Sequence, residues 1–363
     1  MRRRLRLSWK AWRRHIAKLD ITQSQLSWRD RRLYELSAAS FSGLDRLQRA
    51  SYAAAIGAAV PLPPLFLLGF WRSGTTFLHE LFCCDPRFGF PSTYACLNSS
   101  HFLLSEPFLR KAGSSTQRRP MDNMNYSWTT PQEDEFALLA LGAPSPYEAL
   151  LIPSLMRSPR WLVDLSSRPL EEQERWGEAM RYFVRLLTVQ QHKRMALKSP
   201  PHGFRLPLLE KLFPRAAYVV IDRNPFDVFA SNLKLWKTLI EIYGWEPVSE
   251  EQIEEFVLDA YVLHEQAIAQ GAPGITLKRV RYEDLVSDPL GQMARLYEEL
   301  ALGDFDQVRP NLERHLASVV GYQRNHFQLC LRQRQRVESK WGALLQQKKY
   351  SFPEEHFGVR SAG

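Results

Sequence analysis

A phosphate-binding sequence lies close to the first apolar run of the chain. Residues 69–76, GFWRSGTT, space Gly69 and Gly74 as a P-loop does, with Thr75 and Thr76 directly after them. Successive backbone N–H groups at the start of a helix form a cradle for an anion, and the helix dipole strengthens it. A glycine lets the backbone approach such a ligand closely. This segment therefore predicts a binding site for a phosphate-like group.

The segment lacks the lysine of nucleotide-hydrolysing P-loops, because Thr75 stands in its place. Kinases and ATPases use that lysine on the phosphates and an Asp to hold Mg²⁺. Asp222 is the one acid suitably placed for that role, but Arg223 follows it directly. Arg72 supplies a fixed positive charge and a fork of donors instead. The pattern favours a ligand bound without metal, with a nucleotide kinase-like enzyme as the alternative.

A second anion-binding pair lies further along the chain. Arg223 follows the apolar run AYVVID, and Ser231 comes eight residues later. Asn224 and Pro225 are typical of a helix start, so Ser231 lies about two turns into that helix, on the face of Asn224. Open α/β sheets bind ligands at the carboxyl ends of their strands. We therefore expect Arg223 and Ser231 to face a ligand there.

Strands that alternate with helices must position these residues. Apolar runs predict strands at 65–70, 195–198, 217–222 and 275–280, and helices are expected at 75–83, 171–192, 203–213, 223–236 and 249–270. This alternation predicts an α/β fold, a P-loop-like doubly wound parallel sheet flanked by helices. A helical and irregular insertion, about 88–165, follows the first strand–helix unit. We expect an N-terminal helical region at 1–60 and the main domain at 61–363.

The two motifs together resemble the sulfotransferases that use 3′-phosphoadenosine 5′-phosphosulfate (PAPS). The matching segments are RSGTT (72–76), the run from Leu197 to Ser231 that contains RNPFDVFAS, VRYEDLVSDP (280–289) and SKWG (339–342). The resemblance spans residues 65–289 and is nearest to the bacterial and protein-tyrosine branches. It implies that PAPS is the co-substrate and that no metal is needed, since the sulfuryl group carries less charge than a phosphoryl group.

The resemblance also assigns roles to residues of this chain. It implies that the first loop binds the 5′-phosphosulfate and that a later Arg and Ser bind the 3′-phosphate. The donor-binding residues would be Arg72, Ser73, Gly74, Thr75, Thr76, Phe77, Arg223 and Ser231. Arg72 and Lys198 would stabilise the transferring group during in-line attack. An ordinary surface position is the alternative for Lys198.

The general base is the point at which the sequence departs from the family. The protein-tyrosine branch has a glutamate shortly after the first helix, whereas this chain has PSTY at 91–94. Glu133 is our first candidate and Glu135 the second, because both open an otherwise apolar helix. The alternative is that these acids only cap the helix, with Thr130 and Glu133 as a capping box. His79 and His202 are further candidates.

The acceptor site is expected in the insertion and in residues 234–245, which are rich in leucine and aromatic residues. That composition suggests an acceptor hydroxyl on a partly apolar molecule such as a lipid, a carbohydrate or a phenol. Plain core packing is the alternative for these residues. A non-catalytic nucleotide-binding protein of the same fold also remains open.

The net charge of +9 is concentrated at the N-terminus, since residues 1–18 hold six Arg and two Lys and no acid. The remainder is nearly neutral, which argues against a nucleic-acid-binding body. Residues 1–19 space apolar side chains along one helix face, at Leu5, Trp9, Trp12, Ile16 and Leu19. This face either contacts a membrane or packs on its own domain.

The sequence has no apolar run long enough to span a membrane and no secretory signal pattern. We therefore expect a bacterial cytoplasmic protein, peripheral on the inner membrane face if the N-terminal helix binds lipid. The thiols of Cys83, Cys84, Cys96 and Cys330 are expected to be reduced and buried.

Overall fold

The computed structural model describes residues 4–112, 117–118, 125–318 and 329–353. These residues form seven strands: β1 (Leu65–Leu68), β2 (Phe88–Gly89), β3 (Gln117–Arg118), β4 (Asn125–Tyr126), β5 (Arg194–Lys198), β6 (Ala217–Asp222) and β7 (Leu277–Arg281). Five of them make one parallel sheet in the order β2-β5-β1-β6-β7, and β3 and β4 form an antiparallel pair. The predicted parallel sheet is confirmed.

Helices surround this sheet. In the part of the chain that the structure describes they are α1 (Trp9–Lys18), α2 (Trp28–Ser51), α3 (Ala53–Ala58), α4 (Thr75–Cys83), α5 (Thr93–Leu97), α6 (Phe102–Ala112), α7 (Glu135–Leu141), α8 (Pro159–Val163), α9 (Leu170–Gln191), α10 (Leu206–Leu212), α11 (Pro225–Tyr243), α12 (Glu250–Gln270), α13 (Tyr282–Ser287), α14 (Pro289–Glu299), α15 (Arg309–Ser318) and α16 (Leu331–Lys348). Short 3-10 turns cover Pro146–Leu150, Pro153–Arg157, Leu165–Ser167 and Pro200–Phe204.

Alternate residues of each central strand enter two different cores, as period-2 geometry requires. In β1, Leu65 and Leu67 pack with α4, α14 and α15, whereas Phe66 and Leu68 pack with α9 and α10. All four side chains are buried. Helices therefore cover both faces of the sheet, which is the doubly wound arrangement expected from continuous apolar strands.

Local signals place the helix that follows β6. The Asn224 side chain accepts a hydrogen bond from the Phe226 N–H at 3.1 Å, and Pro225 is the first helical residue. Both features agree with the predicted start of α11. The helix continues to Tyr243, beyond the expected end, because Trp236, Leu239 and Ile240 are buried in a third core.

The insertion after the first strand–helix unit adds a strand that the sequence did not predict. Its first residues form β2, which pairs in parallel with β5 at the sheet edge. Two residues, Phe88 and Gly89, are too short a run to show a strand pattern. The insertion is therefore attached to the sheet at its start and crosses to the third core further on.

The N-terminal apolar residues pack on the protein itself, as one of the two alternatives predicted. Leu5, Trp12 and Leu19 are buried, and Trp12 stacks on Tyr34 with ring centroids 5.0 Å apart. The edge of Trp245 closes this aromatic cluster. The N-terminal helices thus share the third core with α11 and α12, while the domain division at residue 60 stays a prediction.

Two expectations about solvent and membrane exposure can be compared with the fold. No described helix is both long and apolar enough to cross a bilayer. All four cysteines are free, but Cys330 is exposed and only Cys96 is fully buried. The expectation of four buried thiols is therefore wrong for Cys330, which lies at the start of α16 rather than in a core.

The buried aromatic cluster generates a stability prediction. We expect Trp12→Ala to lower the free energy of unfolding by about 3–5 kcal/mol, because it leaves a cavity beside Tyr34 and Trp245. Trp28 is 72% exposed, so Trp28→Ala should change stability by less than about 0.5 kcal/mol. Urea unfolding of both variants measures the difference. Equal effects would mean that Trp12 does not carry the packing of the N-terminal helix.

Candidate active site

The loop between β1 and α4 has a backbone that only particular residues tolerate. Gly74 has φ +99°, and a Cβ there would lie 2.2 Å from the Tyr282 ring, so glycine is required. Arg72 has φ +69°, a conformation that a non-glycine residue rarely adopts. Such strain is typical of binding sites, where the surrounding contacts maintain it. The loop therefore exposes the first N–H groups of α4, which have no partner within the helix.

The two predicted anion-binding segments meet in one place. The Arg72 Nε donates a hydrogen bond to the Ser231 hydroxyl at 2.8 Å, and the Arg223 guanidinium donates to the Arg72 carbonyl at 3.1 Å. Arg223 also stacks on the Tyr282 ring at 4.6 Å. The buried Arg223 Nε has no hydrogen-bond partner among the described residues. An anion at this corner would satisfy that donor.

Strand pairing explains why these segments adjoin. β1 pairs in parallel with β6, with Leu68 opposite Val220, and the loops that follow both strands leave the same edge of the sheet. β5 pairs with β1 on the other side, with Lys198 opposite Leu67. Three sequence-distant loops therefore converge at the carboxyl ends of neighbouring strands.

Lys198, the last residue of β5, lies in this edge and is buried rather than on an open surface. Its side chain is 2% exposed, and its ammonium group lies 2.7 Å from a Glu133 carboxylate oxygen and 3.5 Å from the Thr76 hydroxyl. The surface-lysine alternative is therefore wrong. Lys198 connects the phosphate loop to the insertion.

Glu133 has a second polar neighbour, which the sequence analysis did not identify. The Tyr147 hydroxyl donates to the other Glu133 oxygen, and the Trp71 indole N–H donates to the Tyr147 oxygen at 3.1 Å. Burial raises the pKa of Tyr147, and the Glu133 charge raises it further, so the phenol stays protonated. Ser145 caps the 3-10 turn that carries Tyr147.

The capping-box alternative for Glu133 is wrong. The helix begins at Glu135, about one turn later than that box requires, and its N-cap Asp134 makes no side-chain cap bond. The Thr130 hydroxyl instead donates to the Ser127 carbonyl at 2.9 Å. Glu133 thus lies just outside the helix, where its carboxylate is 17% exposed.

The two acids after Glu133 are bound within the protein. Asp134 accepts from the Ser199 hydroxyl at 2.9 Å and lies 2.7 Å from His202 Nε2. Both oxygens of Glu135 accept from the Arg205 guanidinium, at 2.8 and 3.1 Å, with both side chains fully buried. These contacts fasten the 133–135 segment to the loop after β5. They leave Glu133 as the acid beside Lys198.

The remaining predicted site residues are packed or hydrogen-bonded within the protein. His79 Nε2 lies 3.1 Å from the Ala196 carbonyl, and burial, with the Lys198 charge adding to it, lowers the pKa of His79 to about 3. Phe77 packs against the core on the α4 face of the sheet. Ser73 donates to the Phe70 carbonyl at 2.8 Å, and Thr75 is buried at the start of α4.

Residues 234–245 belong largely to the third core, with Trp236, Leu239, Ile240 and Trp245 buried there. Trp236 contacts Trp71 edge to face at 5.4 Å and thereby supports the loop. Within the described ranges no group of three or more His, Cys, Asp or Glu side chains could hold a metal ion.

Comparisons with known proteins agree with this geometry. The sequence profile of the sulfotransferase family matches residues 63–307. The omega-hydroxy-beta-dihydromenaquinone-9 sulfotransferases Stf3 of Mycobacterium bovis and Mycobacterium tuberculosis are each 34% identical over 352 residues, covering 94% of this chain and 90% of theirs. The chain belongs to the sulfotransferase family. This membership favours the sulfotransferase interpretation over the kinase-like and non-catalytic alternatives.

The fold of this chain is similar to that of bacterial sulfotransferases whose structures are solved. The sulfotransferase STF9 from Mycobacterium avium matches with a TM-score of 0.68 at 17% identity, covering 95% of this chain and 93% of that one. STF1 from Mycobacterium tuberculosis matches with a TM-score of 0.61 at 20% identity, covering 84% and 87%. The parallel sheet with flanking helices is therefore the family architecture.

The different surroundings of two neighbouring acids give a prediction for this sulfotransferase. Glu135→Gln should lower the free energy of unfolding by about 3–5 kcal/mol, because it leaves the buried Arg205 charge unpaired. Glu133→Gln should cost much less, since Glu133 is partly exposed. Thermal unfolding of both variants is the measurement. A smaller loss for Glu135→Gln than for Glu133→Gln would contradict the structural role of the Glu135–Arg205 pair.

Proposed function

We propose that this sulfotransferase transfers the sulfuryl group of PAPS to a hydroxyl group of a lipid. The observation that carries the donor assignment is the junction of Arg72, Ser231 and Arg223 at one sheet edge. PAPS has two anionic ends, a phosphosulfate and a ribose 3′-phosphate. Two adjoining basic corners suit a ligand of that kind better than a triphosphate with Mg²⁺.

The residues present fit this donor. Arg72, Ser73, Gly74, Thr75, Thr76 and Phe77 would receive its 5′-phosphosulfate, with the α4 N–H groups as donors. Arg223 and Ser231 would receive its 3′-phosphate. The missing Cβ at Gly74 and the unpartnered Arg223 Nε support this fit, because the first opens the backbone and the second needs an acceptor.

Transfer is proposed to need one base and two cations. The acceptor hydroxyl gives its proton to the Glu133 carboxylate as its oxygen bonds to sulfur, and the bond from sulfur to the donor phosphate oxygen breaks. The electron pair of that bond leaves with 3′-phosphoadenosine 5′-phosphate. Lys198 and Arg72 would stabilise the negative charge that grows on this leaving group.

Glu133 is preferred over Glu135 and His79 as the base because of its surroundings. Its carboxylate is the partly exposed one, held by Lys198 and Tyr147 beside the phosphate loop. Glu135 is held on both oxygens by Arg205. The lowered pKa of His79 makes that ring a poor proton acceptor near neutral pH.

The lipid acceptor is proposed from two observations. The Stf3 relatives are named for an omega-hydroxylated menaquinone derivative. In this chain, aromatic rings surround the Glu133 partner Tyr147, with Phe136 at 4.9 Å and Trp71 and Trp236 each at 6.4 Å. Trp71, Trp236 and Tyr147 are buried, so Glu133 lies beside an apolar core, and an apolar molecule that presents a hydroxyl group suits such surroundings better than a free sugar does.

The donor assignment is tested by binding. We expect 3′-phosphoadenosine 5′-phosphate to bind the protein more tightly than ATP with Mg²⁺ in calorimetric titrations. Arg223→Gln should weaken this binding by about 10- to 150-fold, because a hydrogen bond to a charged group contributes about 1.5–3 kcal/mol. Arg309→Gln, at an exposed position in α15, is the matched control. Preference for ATP with Mg²⁺ would remove PAPS as the donor.

The base assignment is tested by turnover of labelled PAPS with a polyprenol acceptor. Glu133→Gln should lower kcat by about 10²- to 10⁴-fold, the range typical of a general base. Tyr147→Phe should lower kcat by about tenfold through misplacement of Glu133, with donor affinity unchanged in both variants. Normal turnover of Glu133→Gln would exclude it as the base. Glu171→Gln, an exposed acid in α9, is the control.

A further inference from the structure

Exposed apolar side chains are concentrated at one end of the chain. Across the described residues eleven large hydrophobic side chains are exposed, and eight of them lie within the first 62 positions: Trp9, Ile21, Trp28, Leu33, Leu36, Leu47, Val60 and Leu62. Soluble proteins normally scatter such residues singly over their surface. We call these eight residues, with the exposed basic residues of α1 and α2, the N-terminal surface.

The same stretch also carries the net charge of the whole protein. Residues 1–62 hold thirteen Lys and Arg against four Asp and Glu, a balance of +9, and the rest of the sequence is neutral. Lys10, Arg13, Arg29 and Arg46 are exposed on α1 and α2. Apolar exposure and positive charge are independent properties, and five of the eight exposed apolar residues lie on the same two helices as these basic residues.

The geometry of α2 separates its core face from this surface. Tyr34, Ala38 and Gln48 are buried on one side of the helix, and Leu36 lies on the opposite side at 67% exposure. Trp28 carries the Arg29 guanidinium over its ring at 5.4 Å. Leucine, tryptophan and arginine interleaved on one face are suited to the boundary between headgroups and acyl chains, where long basic side chains reach the phosphates.

We propose that the N-terminal surface docks the protein on a membrane that contains anionic lipids. Positive charge attracts the lipid phosphates, and the exposed Trp and Leu side chains enter the apolar boundary. A second copy of the chain is a poorer occupant, since a symmetric contact would bring the two positive surfaces together. Nucleic acid matches the charge but not the exposed leucines.

This surface differs from the one that the sequence suggested. The apolar stripe of residues 1–19 was one of two alternatives for a membrane face, but Leu5, Trp12 and Leu19 of that stripe are buried in the third core. The N-terminal surface is instead centred on the outer side of α2. Trp9 of α1 is joined to α2, because its backbone N–H donates to the Ser42 hydroxyl. The inference does not depend on the donor or acceptor proposed above.

Co-sedimentation of the full chain with vesicles tests the proposal. We expect binding to vesicles of phosphatidylglycerol and phosphatidylcholine at low salt, and at least about tenfold weaker binding to phosphatidylcholine alone or in high salt. Leu36→Ala/Leu47→Ala should weaken binding about tenfold. Leu170→Ala/Leu331→Ala removes two equally exposed leucines elsewhere and should leave binding unchanged.

A second set of double variants tests the contribution of positive charge to vesicle binding. Arg29→Gln/Arg46→Gln should weaken vesicle binding about tenfold, and Arg181→Gln/Arg185→Gln, two exposed arginines of α9, should not. All eight positions are exposed, so unchanged unfolding temperatures will show that folding is intact. Equal effects of the paired variants, equal binding to neutral vesicles, or a concentration-dependent dimer that Leu36→Ala/Leu47→Ala dissolves would each overturn the proposal.

Discussion

The ion pair between Lys198 and Glu133 joins the sheet to the insertion at the edge where the phosphate loop lies. Lys198 ends a central strand of the sheet, and Glu133 belongs to the insertion. The pair is short, and its lysine is almost fully buried while the Glu133 side chain stays 17% exposed. It therefore fixes the position of the insertion relative to the phosphate loop. Lys198 also contacts the Thr76 hydroxyl, and Glu133 also accepts from the Tyr147 hydroxyl. The proposed chemistry needs this relative position, since the base and the sulfuryl donor must both reach the acceptor oxygen.

Rigidity around this pair comes from the acids that follow Glu133. Asp134 binds Ser199, and Glu135 binds Arg205, both residues in the chain just after β5. Each contact fastens the insertion to the segment that follows Lys198. A carboxylate held on two sides in this way keeps its place without a helix cap. Two hydrogen bonds support the strained backbone at Arg72 in a similar way. The Arg72 side chain donates to the Ser231 hydroxyl, and the Arg72 carbonyl accepts from Arg223.

In the proposed mechanism, sulfuryl transfer uses a common phosphate-binding corner with a changed set of charges. The loop has no lysine, and the positive charge comes from Arg72, Arg223 and Lys198, which arrive from three different strand ends. Distributing cations over neighbouring loops suits a ligand with two separated anionic ends. It also ties binding to the correct pairing of β5, β1 and β6.

The sequence alone predicted the parallel sheet apart from β2, the turn between β1 and α4, and the start of α11. These features depend on local rules: apolar runs make buried strands, and glycine, asparagine and proline have preferred backbone positions. Tertiary structure decided the rest. β2 is too short to carry a pattern, and nothing near Glu133 in the sequence indicates Tyr147, fourteen residues away. Which of three adjacent acids faces the site, and which face of the N-terminal helices faces solvent, depends on partners distant in sequence. Local propensity does not separate Glu133 from Glu135, whereas their burial and charge pairing differ.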